Sequence, residues 1–144
     1  MKLIVAINNL GVIGNEGTIP WKCKADMKHF KTLTTGTNPD AENVCIVGSN
    51  TYHNCLGGRS LPNRRMFVVG KNHLQLWDAV ELATEHSWIA DTWVIGGSVI
   101  YKQLLPLCKE IHISHINNDS PGDTYFEIPS DYRGKIFNYN FDED

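Results

Sequence analysis

The chain has 144 residues, about one domain's length, and a domain of this size buries roughly two-thirds of its unfolded surface, so one core suffices without staples. Charged residues make up 20% and hydrophobic ones 42%, and a net charge of -3 leaves no basic footprint for nucleic acid. No stretch reaches the ~20 apolar residues of a membrane span, and MKLIVAINN runs directly into a strand pattern without a cleavable signal, so a cytosolic protein is expected.

In chain order, the apolar run Leu3 to Ile7 predicts a strand, and Ala25 to Thr34 a helix. Thr35 to Asn43, with Gly36 and Pro39, reads as an exposed loop. Strands follow at Val44 to Val47, Met66 to Val69, Trp93 to Ile95 and Ile111 to Ile116, alternating with helices at Asn50 to Cys55, Trp77 to Ala83 and Val99 to Leu105. Several runs are continuously apolar and rich in Val and Ile, as strands covered on both faces of a parallel sheet are. The expected class is therefore α/β with crossover helices. Phe137 to Phe141 alternates apolar and polar residues and suits a sheet edge. There is no internal repeat, low-complexity tract or linker, and Cys23, Cys45, Cys55 and Cys108 form no C-x-x-C pair. No His pair has zinc spacing either, so reduced thiols and no metal are expected.

One helix carries an acid where apolar residues point. Its segment, PWKCKADMKHFKTLTT, has Pro20 and Asp26 at the end where a helix begins. At roughly 100° per residue, Phe30 and Leu33 fall within about 40° of Asp26, with Met27 further round the same side. Lys24, Lys28 and Lys31 take the opposite side. Asp26 then either caps the first turn or enters a cleft, where desolvation suits it to proton chemistry. Periodicity alone leaves both open.

Eight short motifs occur in a specific order: LIVAI, GVIG at Gly11 to Gly14, IPW at Ile19 to Trp21, and AD followed by Phe30 and Lys31; then VGSNTY at Val47 to Tyr52, RSLPNR at Arg59 to Arg64, VIGGSVIY at Val94 to Tyr101 and GDTYF at Gly122 to Phe126. In this order and spacing the chain resembles the dihydrofolate reductases over about residues 1 to 126. The resemblance implies their fold, a central, mostly parallel β-sheet flanked by helices, in a single domain 1–144 with an adenosine-binding subdomain at about 37–88. It also implies NADPH-dependent reduction of 7,8-dihydrofolate to tetrahydrofolate, supporting one-carbon metabolism, with hydride from the cofactor.

The roles implied for individual residues follow from the same resemblance. Asp26 bonds the pterin amino group and adjacent ring nitrogen, and favours protonation of the imine nitrogen by way of water. Trp21 holds that water, Ser114 bonds the aspartate, and Ile19 belongs to a mobile loop closing over the nicotinamide. Ile4, Val5 and Ala6 run along the pterin; Met27, Phe30, Cys55, Leu56, Ile95 and Tyr101 surround the substrate rings. Arg64 clamps the carboxylate of the glutamate tail, assisted by Lys31 and Arg59. For the cofactor, Gly48, Ser49, Asn50 and Thr51 form one strand-to-helix junction, and Gly96, Gly97, Ser98, Val99 and Ile100 a second, with a cis bond between the two glycines. Ala6, Ile13, Gly14, Val69, Gly70 and Lys71 complete that set.

The chain departs from the family at two ends of the site. Ser49 and Val99 stand where basic residues commonly meet the 2′-phosphate, leaving Lys71 as the best remaining cation. Family members usually continue through a hairpin to a final antiparallel strand, whereas only Glu127 to Asp144 follow Phe126 here, enough for one strand. A monomer is expected, with association through an exposed sheet edge as its alternative. Cys23 and Cys55, unusual near the pocket, could approach each other. Two competing functions remain: a pyrimidine reductase of riboflavin synthesis with the same sheet, and a non-catalytic module that binds folate and NADPH.

Overall fold

The computed structural model describes residues 1–144. Its elements are β1 (Lys2–Ile7), β2 (Val12–Gly14), α1 (Lys24–Thr35), β3 (Asn43–Gly48), α2 (Ser49–Asn54), β4 (Arg64–Val69), α3 (Leu76–Glu85), β5 (Thr92–Gly96), α4 (Ser98–Leu104), β6 (Glu110–Asn117), β7 (Thr124–Tyr125) and β8 (Lys135–Asp142), with a 3-10 turn at Leu105–Leu107. Each strand and helix expected from apolar patterning is present within a few residues of its expected bounds. The short strands β2 and β7 were not foreseen; they pair antiparallel as a separate ribbon.

The main sheet has six strands in the order β4-β3-β5-β1-β6-β8, and every pairing in it is parallel. β8 runs alongside β6 in the same direction, from Glu110↔Lys135 to Asn117↔Asp142. A parallel return requires a long connection, and residues 118–134 supply it.

Alternate residues of the strands feed two cores. Leu3, Val5, Val44, Ile46, Val94, Ile111 and Ile113 pack with Ala79 and Ala83 of α3 and Ile100 and Leu104 of α4. Each large aliphatic side chain buried this way contributes about 1.5–3 kcal/mol. The opposite face is smaller: Ile4, Cys45 and Trp93, with Phe30 and Leu33 of α1, Met66 and Ile95 against them. The helix bearing Asp26 therefore lies over the smaller core. No helix is long and apolar enough to cross a membrane.

Strand order also places a crevice. From β1 the chain crosses through α1 to β3, and from β5 it crosses the other way through α4 to β6. Right-handed crossovers in opposite directions put α1 and α4 on opposite faces, so adjacent β1 and β5 form a topological switch point. Their pairing stops early, at Lys2↔Trp93 and Leu3↔Val94, whereas β1 stays paired to β6 as far as Ile7↔His115. Beyond Leu3 the two strands part, opening the sheet at its C-terminal edge.

Candidate functional site

Asp26 sits in the first turn of α1, facing β6. It does not cap the helix. The cap position is Cys23, which makes no side-chain cap bond, and the Lys24 N–H instead donates to the Asp144 carboxylate at 3.0 Å. Asp26, three residues past the cap, faces the sheet. Ser114, which pairs with Ala6 in the adjacent strand, lies close enough to the carboxylate to influence its charge. Burial raises the Asp26 pKa above the ordinary carboxylate range, while the Ser114 hydrogen bond and nearby His29 draw it partly back. His29 is itself pushed down by burial, and its ring lies 4.1 Å from that of Tyr139.

Around Asp26, Ile4 and Ala6 share its face of the sheet, whereas the side chain of Val5 enters the opposite core. Tyr101 of α4 is buried and its hydroxyl donates to the Ile4 carbonyl at 2.7 Å, holding β1 in place; burial drives its pKa upward. Phe30 and Ile95 are half-buried against Ile4. Met27, expected on the apolar side, is 64% exposed, because at its angle the side chain passes the rim of α1. Trp21 is half-buried and Ile19 is 49% exposed on the segment between β2 and α1.

That segment is tied to two distant parts of the chain. Its Glu16 N–H donates to Asp123 at 2.9 Å, and Gly17, on its other flank, accepts from the Cys55 thiol at 3.7 Å. Bonds from backbone N–H and Thr124 hold the Asp123 carboxyl below its ordinary pKa. Sequence reading assigned Asp123 no role, although an acid within a Gly-Asp-Thr turn was visible. Cys23 bonds to the Asp142 carbonyl, at 3.3 Å, so Cys23 and Cys55 have separate partners, and all four cysteines are free.

Arg64, the first residue of β4, is only 6% exposed. Its Nε donates to the Pro62 carbonyl at 3.0 Å and one Nη to Thr34 at 3.1 Å. The guanidinium is thus fixed between the end of α1 and the 62–64 turn, which suits a preset carboxylate clamp. Leu56 is half-buried, while Lys31 and Arg59 are exposed.

On the far side of the crevice the two strand-to-helix junctions touch. A Cβ at Gly97 would lie 2.8 Å from the Thr51 hydroxyl, so β5–α4 and β3–α2 meet where a side chain would intrude. Gly48, Ser49 and Asn50 begin the second junction, and Ser98 and Val99 the first, with Val99 exposed and Ile100 in the core. The Gly96–Gly97 bond is cis. Gly70, at φ 153, lies against the Ser49 side chain, which sets Val69, Gly70 and exposed Lys71 beside the β3–α2 junction. Ile13 and Gly14 lie on β2, with Ile13 packed against the larger core and Gly14 beside Thr124. Two adjacent junctions and one cation at their end fit an extended dinucleotide phosphate. A groove of about 800 Å³ lies elsewhere, between α4 and residues 123–129.

Comparison with known proteins agrees with this geometry. The family model described as dihydrofolate reductase matches residues 1–141. Dihydrofolate reductase type 15 of Escherichia coli is 33% identical, covering 98% of this chain and 90% of its own length. The Drosophila melanogaster dihydrofolate reductase is 30% identical, over 91% of this chain and 81% of its own. Among solved structures, the dihydrofolate reductase of Enterococcus faecalis complexed with NADP(H) and RAB-propyl superposes with a TM-score of 0.71 at 30% identity, covering 90% of this chain and 77% of that one. With family model, relatives and fold in agreement with a helix-borne acid over a parted parallel sheet, this chain belongs to the dihydrofolate reductase family.

Proposed function

We infer that this chain catalyses the NADPH-dependent reduction of 7,8-dihydrofolate to 5,6,7,8-tetrahydrofolate, with Asp26 as the acid that binds and activates the pterin. The observation that carries this reading is the half-buried Asp26 carboxylate, free of capping duty, facing Ser114 beside the parted strands β1 and β5. A carboxylate there accepts two hydrogen bonds from an amino group and an adjacent ring nitrogen, geometry that a neutral side chain cannot match. Its charge favours a proton on the imine nitrogen, delivered through water held by Trp21. Phe30, Leu56 and Ile95 give the rings apolar walls, and Arg64 holds the carboxylate tail.

NADPH, when bound, supplies the hydride. The residues suited to hold it are Gly48 to Thr51, Gly96 to Ile100, Ile13, Gly14 and Val69 to Lys71, and residues 37–88 form the adenosine-binding part of the domain. The segment carrying Ile19 excludes water once both ligands are in place. Four free thiols suit the reducing cytoplasm.

The test is NADPH oxidation that depends on added dihydrofolate. The expected result is turnover that stops when either ligand is omitted. Binding of both ligands without turnover contradicts the reading.

A further inference from the structure

Two side chains of α1 flank Asp26, and only one of them is apolar. At roughly 100° per residue, Phe30 lies about 40° to one side of Asp26 and His29 about 60° to the other. Phe30 packs on the smaller core. His29 turns toward β8, where its ring centroid lies 4.1 Å from that of Tyr139 and 5.4 Å from that of Phe141. Residues three apart on a helix are neighbours on its surface, about 5–6 Å between Cβ atoms, so imidazole and carboxylate share one corner of the site.

Packing alone does not account for this imidazole. Its Nε2 is buried with no hydrogen-bond partner in the chain, a cost that a phenylalanine against the same two rings would avoid. The titratable groups turned toward it are Asp26 from α1, Tyr139 from β8, and His112 from β6 with Glu110 behind it. Lys24, Lys28 and Lys31 are exposed on the other side of the helix. His112 Nε2 meets Glu110 at 2.9 Å and its Nδ1 meets the Tyr139 hydroxyl at 3.0 Å. An ionised Glu110 only accepts, so Nε2 carries the proton of a neutral His112 ring and Nδ1 takes the single proton of Tyr139. Tyr139 and the Asp26 carboxylate then face His29 as acceptors, which favours the ring as a donor. Burial pushes the His29 pKa down, the Asp26 charge draws it up, and His112 opposes that gain.

We propose that His29 is a positioning residue for the Asp26 acid: its imidazolium is the charge partner that keeps the Asp26 carboxylate ionised at the pterin site. The proposal rests on the reading of Asp26 as the group that binds and activates the pterin. His29 adds a coupling of two titrations. Charge on the ring favours the carboxylate, and the carboxylate favours charge on the ring by the same amount. As the pH falls, the carboxylate therefore persists to a lower pH than burial alone allows, and its hold on two pterin donors persists with it.

NMR titration of the ligand-free chain tests this independently of turnover. Isotope-labelled aspartate carboxyls report Asp26, assigned by difference against Asp26→Asn, and ring protons report His29, assigned against His29→Phe. In His29→Phe, which keeps a ring against Tyr139, the Asp26 carboxyl should titrate at a higher pH than in wild type. In Asp26→Asn the His29 ring should titrate at a lower pH, displaced by the same interval. His29→Gln should raise the Asp26 titration as well, so the result does not depend on how the phenylalanine packs. The acid limb of kcat/KM for dihydrofolate should move up together with the carboxyl. An Asp26 titration unmoved in both His29 variants overturns the proposal, as does a His29 titration unmoved in Asp26→Asn. An acid limb that stays in place while the carboxyl moves also overturns it. Absence of turnover in the wild type contradicts the proposed reaction instead, and the two titrations still decide the coupling.

Discussion

Asp26 is subject to opposing influences whose balance suits its role. Burial penalises the charged carboxylate, and Ser114 and His29 restore part of that loss. Its helical face was legible from the positions of Phe30 and Leu33, but the cap of its helix was not, because the capping carboxylate comes from a residue far along the chain. The cofactor end is leaner. Ser49 packs against Gly70 and Val99 is apolar, so the proposed function leaves the 2′-phosphate to exposed Lys71. Lys71→Ala should therefore raise the KM for NADPH about tenfold, the scale of one lost charge-assisted bond, and leave NADH nearly untouched. Steady-state kinetics with the two cofactors checks this; equal losses would remove Lys71 from the role.

At the scale of elements, α1 depends on contacts that no local pattern reveals. Its first turn lacks a Ser, Thr, Asn or Asp at the cap, where Cys23 stands, and the Asp144 carboxylate bonds to the Lys24 N–H in their place. Asp144→Ala should lower stability by about 0.5–1 kcal/mol in urea unfolding, with Asp144→Asn retaining most of it. Equal losses in both variants would show that the carboxyl oxygen does not cap. The parallel strands were legible because continuous Val and Ile runs have few alternatives. Strands β2 and β7 were not, since three and two residues carry no periodicity and their pairing spans the chain. Arg64 was readable as a cation after a Leu-Pro turn, but its burial against Thr34 follows only from the packing of α1 on β4.

For the whole molecule, strand order does the positioning. A single reversal between β1 and β5 sets α1 and α4 on opposite faces and leaves the sheet parted where Asp26 and the glycine junctions converge. The same order leaves β8 outermost. The central claim is that the Asp26 carboxylate activates the substrate, and the pH dependence of turnover in Asp26→Asn tests it most directly. The variant should fold normally and lose about 100-fold or more of kcat at neutral pH, the range expected for a lost acid–base group. It should recover as the pH falls, when protons from solution reach the imine nitrogen unaided. Asp26→Asn turning over at the wild-type rate at neutral pH would contradict the assignment.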